Sequence, residues 1–258
     1  MRFGVCTDWK KEENLHAAKA AGAEYVELNF QSFINETPES IRALGEKLQA
    51  MGLDLIAYNC MLPGSLRVTG EKKDFAAARD YLEGQLAKLQ ALPARTVVFG
   101  SGAARMLDGD NTKENGMREL TEFFRDYLAP VFEEYGFTCV IEPLSECNFL
   151  RTIKDGAALV QAVNRKSVRL LVDFYHTSMC GEPLDGYEAY APYLHHTHIA
   201  ALEGRAYPTA SDPDDYPAIF RALRAAGYED CMSIEASGSL TEEGVREAIA
   251  CLKKAANS

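Results

Sequence analysis

The sequence predicts a single (β/α)₈ TIM barrel, an α/β fold occupying residues 1–258. Three observations lead there. Runs rich in Val, Ile and Leu alternate with amphipathic helical stretches along the chain, the pattern of a parallel sheet covered on both faces. Eight such strand–helix pairs leave little chain over. The length of 258 residues matches the roughly 250 that such a barrel uses, and the 47% apolar composition is ample for its core. In this fold all strands end on one face, so residues distant in sequence meet there.

The expected strands, in order, are RFGVC (2–6), EYVELNF (24–30), LDLIAYN (53–59), TVVFGS (96–101), FTCVIEP (137–143), VRLLVDF (168–174), YLHHTHIA (193–200) and CMSIEA (231–236). Between them lie helical stretches at 14–22, 39–52, 74–92, 113–135, 155–164, 186–191, 215–227 and 241–256. Their apolar residues recur at i, i+3 and i+4, as one buried face requires. The stretch at 186–191 carries the weakest period. Gly22, Gly52, Gly136 and Gly227 stand where a helix stops before the next strand, the place of a C-cap glycine. Two long loops follow strands three (Cys60–Lys73) and seven (Ala201–Pro213), where barrels carry substrate recognition.

Charge and cysteines narrow the function. A formal net charge of −11 opposes a nucleic-acid partner, which needs a basic face. No apolar run reaches membrane-spanning length. Met1 leads directly into a strand, so a cytoplasmic protein without a targeting segment is expected. The seven cysteines are scattered without CxxC pairs, which fits reduced thiols. Glycine-rich FGSGAAR lacks the GxxxxGK[ST] arrangement of a phosphate loop.

Four strand ends carry metal-binding side chains: Glu142 in VIEP, Asp173 in LLVDFYH, His198 in HTHIA and Glu235 in MSIE. Barrel geometry brings them to one face. Three carboxylates and an imidazole make a hard, oxygen-rich cage for one divalent metal ion, Mn²⁺ first, with Mg²⁺, Co²⁺ or Zn²⁺ as alternatives. Taken singly, each has an ordinary structural reading as a capping carboxylate or a hydrogen-bonded core histidine; the joint pattern carries the inference. Strand alternation turns His196 and His198 to one side and His195 toward the helices. Glu27, near the end of the second strand, is a pocket residue without an assigned task.

YNCMLPGSLRVTG, VVFGSG, IEPLSECNFL, RLLVDFYH, HTHIAALEGR and GYEDCMSIE, in this order, resemble the xylose isomerase-like TIM barrels. The nearest branch is that of sugar phosphate isomerases and epimerases, with hydroxypyruvate isomerase and the ketose 3-epimerases. The resemblance implies that Glu142, Asp173, His198 and Glu235 hold the metal, and that Glu142 and Glu235 are also the catalytic acid/base pair. It implies that His176, Arg205 and Glu146 bind substrate, although Ser145 replaces the usual asparagine beside Glu146.

The expected function is therefore a metal-dependent sugar isomerase or epimerase. It would move a proton next to the carbonyl of a small ketose-like or hydroxy-carbonyl substrate, through an enediolate. The alternatives are a dehydratase of the inosose dehydratase type and a non-catalytic sugar-binding barrel. The family's endonuclease IV branch needs more ligands and a basic track, against five histidines and the acidic charge. A homo-oligomer is possible on the family's habit alone.

Overall fold

A computed structural model describes residues 1–258. Eight parallel strands close into one barrel in sequence order: β1 (Arg2–Thr7), β2 (Tyr25–Asn29), β3 (Asp54–Asn59), β4 (Thr96–Phe99), β5 (Thr138–Ile141), β6 (Val168–Asp173), β7 (Leu194–Ile199) and β8 (Cys231–Ile234), with β8 pairing β1. The predicted fold class is the observed one.

Helices cover the outside. They are α1 (Glu12–Ala20), α2 (Pro38–Met51), α3 (Phe75–Leu89), α4 (Gly102–Arg105), α5 (Lys113–Glu122), α6 (Ala129–Tyr135), α7 (Ile153–Val163), α8 (Phe174–Met179), α9 (Tyr216–Ala225) and α10 (Glu242–Ala256). Thr37, Asp74, Thr112, Thr152, Asp215 and Thr241 cap six of them by accepting from an amide in the first turn, which satisfies a donor the helix cannot. Gly52 and Gly136 end α2 and α6 at φ +59° and +73°, a conformation open to glycine at no steric cost. No helix is long and apolar enough to cross a membrane, and all seven cysteines are free.

Three expectations need correction. The helix over 113–135 contains a π-turn at Phe123–Leu128, because Pro130 has no amide to donate and crowds the preceding turn. The sixth helix is only a 3₁₀ turn, Tyr187–Tyr190. Gly181 and Gly186, at φ +64° and +79°, flank Pro183 and break any longer helix; the short α8 instead continues directly from β6. Third, His195 does not face the helices. The β6–β7 register jumps from Leu170↔Leu194 to Leu171↔His196, leaving His195 bulged. Its Nε2 lies 3.2 Å from Thr96 Oγ1 on β4, across the N-terminal mouth of the barrel.

The main core, 67 buried residues, lies chiefly between strands and helices. Inside the barrel, Val98, Val140 and Leu171 form a separate apolar island on the β4–β5–β6 side. On the other side the interior is polar, with Tyr25, Glu27, His196, His198 and Ser233 all buried. Tyr25 lies over Gly4, where a Cβ would come 2.3 Å from its ring.

Candidate metal centre

Alternation along the strands builds the site. Glu142 stands two residues beyond Val140, and Asp173 two beyond Leu171, so both carboxylates top the apolar island on the same inward face. On the polar side His198 follows His196 and Glu235 follows Ser233 in the same way. One ligand atom from each of Glu142, Asp173, His198 and Glu235 lies within 4.8 Å of every other. Glu142, Asp173 and His198 are buried, while the Glu235 side chain is 21% exposed at the mouth.

Two devices seat Glu142. A Cβ on Gly100 would stand 1.9 Å from Glu142 Oε2, so the glycine of FGSGAAR makes room for the carboxylate. Arg105, fully buried on α4, donates to the backbone carbonyls of Glu142 at 2.6 Å and Phe99 at 3.1 Å. Its guanidinium stacks 5.1 Å over Phe99 and ties β4 to β5 where the site begins.

The site concentrates negative charge. Burial, opposed by His176 and reinforced by Glu142, pushes the Asp173 carboxyl up to about 6. Asp173 Oδ1 accepts from Tyr175 N at 2.8 Å as the cap of α8, leaving Oδ2 to the site. Burial pulls the His198 imidazole down, but Glu27 and then Glu235 hold it well above its usual range. His198 Nδ1 lies 3.3 Å from Glu142 Oε1 and 3.5 Å from Glu235 Oε2.

The rim supplies donors. Arg205, at φ +50°, bonds Glu235 Oε2 and reaches Asp173 Oδ2 at 3.5 Å. It lies 4.9 Å over the Tyr175 ring. Asn59 Nδ2 donates to Glu235 Oε1 at 3.1 Å. His176 is 1% exposed; its Nδ1 lies 2.9 Å from Ser145 Oγ and accepts from the Ser145 amide at 3.3 Å. His176 Nε2 is buried without a partner, 3.6 Å from Asp173 Oδ2, and is left to meet an incoming polar group. Glu146 stands outside the four-residue group. Its side chain is 61% exposed and meets only the far nitrogen of His176, at 3.2 Å, and Ser145 Oγ, at 3.3 Å. Beside the group opens a cleft of about 520 Å³ whose lining includes Cys6, Asn29, Asn59, Cys60, Tyr207 and Glu235.

Sequence reasoning left Glu27 without a task and passed over Ser233, Tyr25, Asn59 and Arg105. Glu27, fully buried, accepts from His198 Nε2 at 3.0 Å, His196 Nε2 at 2.8 Å and Ser233 Oγ at 2.8 Å. Tyr25 OH extends the chain to Ser233 Oγ at 3.2 Å. Burial pushes the Glu27 carboxyl up, yet His198 and His196 hold it well below the usual carboxylate range. The visible signal was the alternation of Tyr25, Glu27 and Asn29 on one face of an apolar strand.

The donor set fits a hard divalent cation: three carboxylates and one imidazole converge with a single guanidinium to offset them. Cys6, Glu27 and His198 also lie within mutual reach of an ion. They suit one less well, because the Glu27 carboxylate is already engaged by His198, His196 and Ser233.

Residues 15–255 match the model of the xylose isomerase-like TIM barrels. The chain belongs to this family. A relative from Mus musculus, named "Putative hydroxypyruvate isomerase", is 26% identical over 254 residues, covering 91% of this chain and 89% of its own. An L-ribulose 3-epimerase from Mesorhizobium japonicum is 25% identical, covering 88% and 76%. The crystal structure of a D-psicose 3-epimerase in the presence of D-fructose superposes over the full length of both chains, with a TM-score of 0.84 at 16% identity. That last likeness is one of fold.

Proposed function

We propose that this chain is a divalent-metal-dependent isomerase or epimerase. Its substrate class is a small ketose or related hydroxy-carbonyl compound, and its reaction moves the proton next to the carbonyl. The reading rests above all on Glu142 and Glu235, which stand on strands three positions apart in the barrel and both approach His198 Nδ1. Two carboxylates reaching a substrate from well-separated strands let one remove a proton from one face while the other returns a proton to the opposite face. That is epimerisation; a single base returning the proton to the neighbouring carbon gives aldose–ketose isomerisation.

Glu142, Asp173, His198 and Glu235 are the residues that would hold the cation. A bound divalent ion supplies Lewis acidity that polarises the carbonyl and acidifies the adjacent C–H. The Arg205 guanidinium, and His176 when Nε2 carries the hydrogen, are donors for the oxygen that gains negative charge as the enediolate forms. Glu146, exposed and turned to His176, contributes at the edge of the substrate. The names of the relatives favour the same class of reaction. Mn²⁺ is the first choice of ion for this donor set, and the free cysteines suit a reducing, cytoplasmic setting.

The test is turnover by metal-stripped and Mn²⁺-reloaded protein on ketoses, their phosphates and hydroxypyruvate, with products identified by NMR. Conversion to an isomer or epimer, lost on stripping and regained on reloading, is expected. A product that has lost water would move the assignment to a dehydratase. Sugar binding without turnover or metal dependence would make this a binding barrel.

A further inference from the structure

Beneath the candidate metal centre, one buried carboxylate receives three donors from two strands. We propose that Glu27 is a positioning residue for the metal centre: by accepting from His198 Nε2, it fixes the imidazole with Nδ1 turned to Glu142 and Glu235. The inference rests on the metal reading above. A histidine offers a cation only one nitrogen, and the partner of the other nitrogen decides which one and at what ring angle. Here Nε2 lies 3.0 and 3.1 Å from the two Glu27 oxygens, and Nδ1 has the two site glutamates before it.

The same carboxylate sets the neighbouring ring. His196 Nε2 donates to Glu27 Oε2, and its Nδ1 is turned 3.5 Å from Cys231 Sγ near the N-terminal mouth. Ser233 Oγ donates to Glu27 Oε2 as well, with Tyr25 behind it. The acceptor capacity of Glu27 is thus used on three donors, all from β7 and β8, so the carboxylate cannot swing away. The neighbouring rings His196 and His198 lie 5.1 Å apart with planes at 83°, an arrangement that a shared acceptor between their Nε2 atoms accounts for. This assigns work to a residue 171 positions from His198 in sequence.

Glu27→Gln tests it, because one donor must then meet an amide NH₂ instead of an oxygen, and a ring turns. Mn²⁺ affinity, followed by electron paramagnetic resonance of free Mn²⁺, is expected to weaken about 10- to 100-fold, the usual cost of removing an outer partner of a metal-bound histidine. Thr96→Val, at the N-terminal mouth where its hydroxyl meets His195, is expected to keep wild-type affinity. A merely structural role would lower the melting temperature of Glu27→Gln yet leave the folded protein's Mn²⁺ affinity unchanged, and that result would overturn the proposal. A second readout needs no variant: ¹⁵N NMR of the Zn²⁺-loaded wild-type protein should show His198 metallated at Nδ1 and protonated at Nε2. Metallation at Nε2 overturns it. Wild-type protein that takes up no Mn²⁺ overturns the metal reading itself, a failure distinct from a Glu27→Gln variant that binds as well as wild type.

Discussion

On the β4–β5–β6 side of the barrel interior, Val98, Val140 and Leu171 form an island of aliphatic side chains. At comparable burial on the β7–β8–β2 side stand His196, His198, Ser233, Tyr25 and Glu27, joined by hydrogen bonds. The first side carries chemistry only in its top layer, where Glu142 and Asp173 crown Val140 and Leu171. The second is polar through several layers, so His198 rests on a carboxylate instead of on hydrocarbon. A buried polar network needs every member satisfied, whereas an aliphatic layer needs only to be filled. The difference separates two tasks: one side holds carboxylates on a rigid floor, and the other sets the angle of an imidazole.

Substitutions can break this division of labour. The largest effect is expected for Glu142→Gln and Glu235→Gln, one from each side, each lowering kcat by about 10²–10⁴-fold through lost proton transfer. Steady-state assays on whichever compound the Mn²⁺-loaded protein converts provide the check, and full activity in either variant removes that glutamate from the reaction. Next comes the aliphatic floor. Leu171→Ala should cost about 3 kcal/mol of stability in urea unfolding, while the folded protein loses far less Mn²⁺ affinity than Glu27→Gln. A floor mutation that weakened metal binding as strongly as Glu27→Gln would erase the comparison.

Gly100→Ala comes third. Its Cβ would occupy the place of Glu142 Oε2, and the displaced carboxylate should cost up to about 10²-fold in kcat with a circular dichroism spectrum like that of wild type. Unchanged kinetics would mean that Glu142 works from another rotamer.

The smallest effect concerns pH. Asp173 is held at about 6 in the folded protein, against about 3.9 in an unfolded chain. The folded state therefore binds more protons between about pH 4 and 6, and Asp173 withdraws stability as pH rises through that window. In metal-free protein Asp173→Asn should raise stability by about 1–3 kcal/mol at pH 7.5 and leave it nearly unchanged at pH 4. Thermal melts at the two values decide the sign. Equal shifts at both would place the cost elsewhere than in the buried charge.

The same two sides explain what could be read from sequence. The strand–helix alternation is a local pattern, and the eight strands, most helices and the four converging residues follow from it. Glu142 and Asp173 end runs of aliphatic residues, so their position on the inward face needs no knowledge of neighbours. The polar side was less legible because its meaning lies between strands. Glu27 meets Ser233 across 206 positions, a contact that exists only once β8 closes on β1 and β2. Arg105 follows Gly100, whose missing side chain answers the bulk of Glu142 at the end of the next strand. His195 was misdirected by a bulge, which inverts alternation without leaving a mark in residue type.

Solvent deuterium uptake tests the central claim most directly. Wild-type protein, metal-stripped and Mn²⁺-loaded, would be incubated in D₂O with ketoses, ketose phosphates and hydroxypyruvate, and protein and metal removed before each NMR spectrum. The account predicts loss of the C–H signal next to a carbonyl in at least one compound. The loss should need metal and be abolished in the protein carrying both Glu142→Gln and Glu235→Gln. Exchange that persists in metal-stripped protein or in that double variant would contradict it.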